Sequence, residues 1–481
     1  MNTDVTTQSI RALRSPRAAQ SAPHSSNGTR IELTRIPIVK SALRSRWPQL
    51  VVTAIALGGF SFAITAGLFG TPVGNHNFSI VFVWIAWWAL LMLIAVPLLG
   101  RGWCSICPIP MPGEWLQRGA ILGPRGRGLG LGRRWPRRLR NIWLQNGLFT
   151  LVALFSAVVL TQPRVTAAVL FTFLFVAVGA SLIFERRAFC RYLCPVGGFI
   201  GLYSQLAPVE VRVKDTAVCA AHTEKTCYTG NRDGYGCPWQ VFPGGLTKNT
   251  YCGTCLECLR TCPHDNVAVN LRSFGADLTQ ASGRKLDEAF KAFVMLGSAV
   301  VYSAVMLGPW GALKLAAYTV GSGEWIAYAL AFLGFVFGAL PGLFFLAVLA
   351  GRKLSGSRLA PRKAFTAFAY ALAPLGLTAW IAFSLSFVFA NASYLGAALS
   401  DPLGAGWNLL GTANVTWTPY LMQLVPLLQV MVLIGGLLWA GVTVNRIAAE
   451  QMPGRMASVQ AAPVMAFCLL VTAGLMGLLV G

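Results

Sequence analysis

The sequence has little charge and almost no histidine. Only 11% of its 481 residues are Asp, Glu, Lys or Arg, the acids number 16, and there are 4 histidines. So small a charged fraction cannot clothe three soluble domains, which is what this length would otherwise suggest. Of the histidines, His24, His76, His222 and His264, only His76 adjoins an apolar run, which excludes a membrane haem held by two imidazoles. The apolar runs of the second half are nearly free of Asp and Glu and hold no His, so they lack the markers of a buried proton relay. An acceptor of the S/T-G-A-T type for a covalent flavin is absent as well.

Apolar sequence fills the space that charge does not: 55% of the residues are hydrophobic. A run of about 20 such residues crosses a bilayer as a helix. Nine runs are expected to do so, at 48–70, 79–99, 142–161, 165–184, 290–308, 325–350, 364–391, 418–444 and 458–480. The chain is therefore read as an α-helical polytopic membrane protein of about nine transmembrane helices. Residues 1–47, Ser/Arg-rich with little apolar content, are expected to be a disordered cytoplasmic tail. A four-helix membrane region at 48–207 is followed by a polar segment at 208–286 and a five-helix membrane region at 287–481.

The net charge of +23 follows the topology of this arrangement. In the nine-helix reading 37 of the 39 Lys and Arg fall on one side, and only Arg164 and Lys314 on the other. Basic connections stay in the cytoplasm, so the N-terminus and the 208–286 segment are placed inside a bacterial-type inner membrane and the C-terminus outside. The 208–286 segment carries 9 basic and 7 acidic residues, a balance that speaks against a nucleic-acid partner.

Eleven of the 12 cysteines fall between 104 and 262, on the reducing cytoplasmic side, which favours metal ligation over disulfides. The strongest signal is Cys252-x2-Cys255-x2-Cys258-x3-Cys262-Pro263, the bacterial ferredoxin run. In such a run three thiolates hold one [4Fe-4S] cluster while the fourth serves a second cluster. Upstream, Cys219-x2-His222-x4-Cys227-x9-Cys237-Pro238 has the same order with longer spacers. Exchanging the fourth ligands assigns Cys252, Cys255, Cys258 and Cys237 to one cluster. The other receives Cys219, Cys227 and Cys262, with His222 placed to supply the fourth ligand; a three-iron cluster or a site closed by water is the rival. His264 is read as a neighbouring or surface group.

Four further cysteines stand at two helix ends, in GRGWCSICPIP (Cys104, Cys107) and ERRAFCRYLCPVGG (Cys190, Cys194). Each pair is three or four residues apart, on one face of a turn, and ends at a proline. If the two helices pack together, four thiols converge into a tetrathiolate iron site, an added iron–sulfur centre or a redox-active dithiol pair. Cys468 is read as an apolar packing residue.

Paired C-x2/3-C-P motifs at membrane-helix ends, followed by a two-cluster ferredoxin run, resemble the membrane polyferredoxins of the NapH and NosR type, whose relatives include the oxidase assembly factor CcoG. The resemblance covers about 79–275. It implies a cytoplasmic two-cluster ferredoxin-like α+β insertion and one-electron transfer between a quinol pool or cytosolic donor and a redox partner, often a periplasmic reductase. The chain departs from that pattern in its first C-x2-C motif, its seven ferredoxin-segment cysteines, its lack of a periplasmic flavin or immunoglobulin-like domain and its five additional helices. The resulting expectation is an electron-transfer component with no catalytic residues of its own, with lipid, quinone or other redox proteins as partners. The alternative is a thiol or iron–sulfur factor that reduces copper or assembles a copper oxidase or reductase.

Overall fold

The computed structural model describes residues 30–123, 126, 128–278, 280 and 283–481. Among these, eight helices are long and apolar enough to cross a bilayer: α1 Trp47–Phe69, α2 Phe78–Leu99, α5 Pro163–Ile183, α6 Leu286–Leu307, α7 Gly323–Ser355, α8 Pro361–Asn391, α9 Val425–Ala449 and α10 Arg455–Leu479. Proline opens the first turn of α1, α5 and α9, where its missing N–H costs no helical bond. The protein is thus a multi-pass helical membrane protein.

The ninth expected span differs. The run at 142–161 forms two pieces, α3 Trp143–Leu154 and α4 Ser156–Val159, because Phe155 leaves the helical region at φ −95°, ψ 14°. The pair nevertheless connects the two ends of the bundle. Ile142 N–H bonds Asp287 at the start of α6, while Thr161 O lies against Gly74, beyond the far end of α1. Apolar run length reports that a segment is buried, and says nothing of a local break in its winding.

Helix α2 is wound wide over Val81–Trp87 and Leu90–Ala95, with i→i+5 bonding. Such stretches are rare and concentrate at functional sites. Here Trp84, Trp87 and Trp88 are turned toward the interior. The second half packs around α8, whose Leu372–Leu385 stretch is almost wholly buried. The halves meet where Trp88 Nε1 donates to Ser384 Oγ (2.9 Å) and its indole stands 5.5 Å from that of Trp380, which is fixed within the second half by its Nε1 bond to Met295 O (2.9 Å).

At the cysteine-bearing end the polar segment folds on a small antiparallel sheet of order β1-β3-β2, made of β1 Ile31–Glu32, β2 Val209–Val213 and β3 Val267–Leu271. Residues 30–47 are ordered, unlike the disorder expected there. Arg44 and Lys40 both pair with Asp265, and Arg260 donates to Arg44 O, so the helix Pro37–Arg44 is held by ion pairs that its composition did not announce. Residues 1–29 of the expected tail lie outside the described residues.

Candidate metal centres

Beyond α2 the chain turns at Gly100, whose φ of +55° suits glycine, and enters the short helix Gly102–Ile106. Cys107 and Cys194 both adopt extended backbone, with ψ of 127° and 116°. Each precedes a proline, whose ring excludes the helical region for the residue before it. The two motifs end at the same level, and Cys104, Cys107, Cys190 and Cys194 line one cavity of about 150 Å³. Burial pushes all four thiols up, and Cys194, whose Sγ accepts the Gly197 N–H at 3.2 Å, is pushed up to about 11. They therefore stay protonated unless a metal takes the place of the protons.

Three buried basic residues flank these thiols. Arg187 is 4% exposed, pairs with Glu114 and donates to Cys104 O at 2.8 Å. Lys291 is fully buried and donates to Gln145 O at 3.2 Å. Arg101 is 3% exposed; its Nη2 donates to Gly197 O at 2.6 Å, while Nε and Nη1 have no partner. Uncompensated positive charge in the interior is costly. Four thiolates around iron and sulfide are anionic, so an iron–sulfur cluster fits the donor set and the orphaned guanidinium atoms together. Among the described residues no group of three or more His, Cys, Asp or Glu is placed to hold a single metal ion.

The second constellation lies directly beneath. Cys237, Cys252, Cys255 and Cys258 line one small cavity with Trp239. The 252–258 loop curls back through left-handed residues at Thr254 (φ 49°) and Leu256 (φ 63°). Burial raises all four thiols, Cys255 to about 11. The loop closes over the Trp239 indole, and a Cβ on Gly253 would collide with it. Gly253→Ala is therefore expected to lower iron content at this centre at least twofold, as measured by iron assay of the purified protein, with the other cysteine sites unaffected.

The third group holds Cys219, Cys227 and Cys262, whose charges act on one another. Asn266 donates its N–H to Cys262 Sγ (3.4 Å) and its Nδ2 to Cys219 Sγ (3.3 Å). His222 follows the helix Thr216–Ala221 that carries Cys219, and its ring lies 4.5 Å from that of His264, two residues after Cys262. His222 Nδ1 stands 2.6 Å from Val218 O. That contact calls for a proton on Nδ1, which leaves Nε2 as the ring nitrogen a metal could use.

The cations are what sequence reasoning missed, having counted them only as topology. A signal was present: Arg101-x2-Cys104-x2-Cys107-Pro and Arg187-x2-Cys190-x3-Cys194-Pro repeat the same arginine three residues before the first cysteine. Cys468 is buried in α10, away from all three groups.

Comparison with known proteins finds a match to the 4Fe-4S binding domain family over residues 80–140 and 166–213. These two stretches contain all four helix-end cysteines with Arg101 and Arg187, and stop short of Cys219. The Escherichia coli (strain K12) protein "Putative electron transport protein YccM" is 29% identical over 83 residues, 17% of this chain. The matched stretch spans about a fifth of that relative's length. No solved structure matches. The findings support a 4Fe-4S membrane ferredoxin type for this region.

Proposed function

We propose that the protein is an iron–sulfur electron carrier of the inner membrane with three centres. Cys104, Cys107, Cys190 and Cys194 would hold one at the membrane surface. Cys237, Cys252, Cys255 and Cys258 would hold the second, and Cys219, Cys227, Cys262 and His222 the third, both in the ferredoxin-like segment. Such clusters, when bound, supply one-electron transfer at potentials set by burial and hydrogen bonds to sulfur. The observation that carries this reading is the convergence of four helix-end thiols on one cavity, inside the stretches that match a 4Fe-4S binding domain.

The chain's own residues exclude water and fix the thiols. Trp103, Phe189 and Phe199 wall the cysteines off, while the Gly197 and Asn266 donors act on sulfur. The cavity continues from the cysteines to Val83, Trp84 and Phe387, near the opposite ends of α2 and α8, with an almost entirely apolar wall. That shape supports a lipid-soluble quinol as donor over a cytosolic one. The charge asymmetry of 37 to 2 supports a cytoplasmic location for all three centres.

Iron and acid-labile sulfide, measured per chain after anaerobic purification, test the reading: three four-iron clusters give about 12 of each. Values near eight, unchanged by loss of Cys107 and Cys194, would leave only the ferredoxin-like pair. His222→Ala is expected to convert one of the three EPR signals to that of a three-iron cluster and to leave the other two in place. His222→Cys should restore a four-iron signal at a lower potential, since imidazole in place of thiolate raises it.

A further inference from the structure

The membrane centre and the ferredoxin-like segment are joined through one residue in particular. The Arg101 guanidinium stands 4.7 Å over the ring of Trp239, an indole that is 1% exposed and lies between Cys237 and the 252–258 loop. Its Nη2 bonds Gly197 O, and the N–H of that same glycine donates to Cys194 Sγ. Arg101 thus touches the wall of both cysteine cavities. The space it occupies is reserved: a Cβ on Gly201 would collide with Nη2.

Arg187 also lies between the two groups, bonding Cys104 O with its side chain and Pro238 O with its backbone N–H. Its charge faces Glu114, a carboxylate it shares with Arg118. Among the described residues Arg101 has no carboxylate partner, and its buried Nε and Nη1 have no hydrogen-bond partner. Its full charge remains available to its surroundings, in a low-dielectric site where such charges act strongly.

We propose that Arg101 is a positioning residue shared by two iron–sulfur centres, a fixed positive charge seated on Trp239 that raises the reduction potential of both the Cys104/107/190/194 centre and the Cys237/252/255/258 centre. The inference rests on the three-centre reading given above. Each centre gains a negative charge on reduction, so a nearby cation stabilises the reduced form of each. One side chain then tunes donor and acceptor together and keeps them matched as electrons pass between them. No hydrogen bond or ring contact among the described residues joins Arg101 to Cys219, Cys227 or Cys262, and the third centre is expected to keep its potential.

The test is an EPR-monitored redox titration of the full-length protein, purified anaerobically, comparing native, Arg101→Gln and Arg101→Lys. Arg101→Gln is expected to shift two of the three signals to more negative potential and leave the third where it was. Arg101→Lys, which keeps the charge, is expected to recover at least half of each shift. Unmoved potentials in Arg101→Gln, or movement of one signal only, would overturn the proposal, as would Arg101→Lys behaving like Arg101→Gln. If Arg101→Gln loses a centre, iron content decides: retention in Arg101→Lys upholds the charge role, and equal loss in both overturns it. Failure of the three-centre reading is recognised separately, by a native protein that lacks the membrane-centre signal.

Discussion

Replacing Cys194 by Ala, alone or with Cys107→Ala, is expected to remove about a third of the iron, one four-iron cluster of three, while the two ferredoxin-like signals persist. The expectation follows from the separation of the sites. The four helix-end cysteines line their own cavity, and the Cys237 group lines another. Losing one ligand leaves Arg101 and Lys291 buried with less negative charge beside them, so the membrane centre should be lost outright and not merely altered in potential. Iron assay and EPR on the same sample check this. Unchanged iron with a native spectrum would mean that these thiols only pack. Complete loss of iron would mean that the three sites assemble as one.

The second large effect is expected at Glu288, at the first turn of α6. Its carboxylate is 1% exposed; Lys248 Nζ lies at 2.6 Å, Tyr370 OH at 2.6 Å and Tyr251 OH at 2.7 Å. Tyr251 immediately precedes Cys252, and Tyr370 belongs to α8. The carboxylate therefore ties the five-helix half to the loop that would hold the second centre. Glu288→Ala strands the Lys248 ammonium in a buried site and removes the acceptor of two hydroxyls. Breaking a buried pair in this way costs about 3–5 kcal/mol. The thermal midpoint of the purified protein should fall, and iron should be lost first from the Cys237 group. Glu288→Gln, which keeps an acceptor but no charge, should fall between. A Glu288→Ala protein as stable and iron-rich as the native one would show that the two parts hold together without this network.

The division of eleven cysteines into groups of four, four and three was legible because ligand chemistry leaves a linear trace. Cys-x2-Cys spacing and the following proline fix backbone geometry locally, so Cys107 and Cys194 adopt the extended form that Pro108 and Pro195 impose. Convergence of the two helix-end pairs was legible only as a condition, since nothing in the order of residues states that α2 and α5 end side by side. The spans were legible from apolar length, except where Phe155 breaks α3 from α4. The ordering of Pro37–Arg44 was not, because polar ion pairs to Asp265 have no periodic signature. Nor was the role of Arg101, Arg187 and Lys291: topology explains a basic residue at a helix end well enough that its burial cannot be suspected from composition. The repeated Arg-x2-Cys would have raised the question. His222 stands between these cases. Its place in the cysteine order suggested a ligand, and the Val218 contact at Nδ1 leaves Nε2 as the nitrogen available for that role.

The central claim, a third iron–sulfur centre at the membrane surface beside a ferredoxin-like pair, is tested most directly by a redox titration followed by EPR on the anaerobically purified full-length chain. The account expects three separately titrating one-electron signals, one of which disappears in the Cys107→Ala, Cys194→Ala protein. Two signals in the native protein, both retained in that variant, would contradict it.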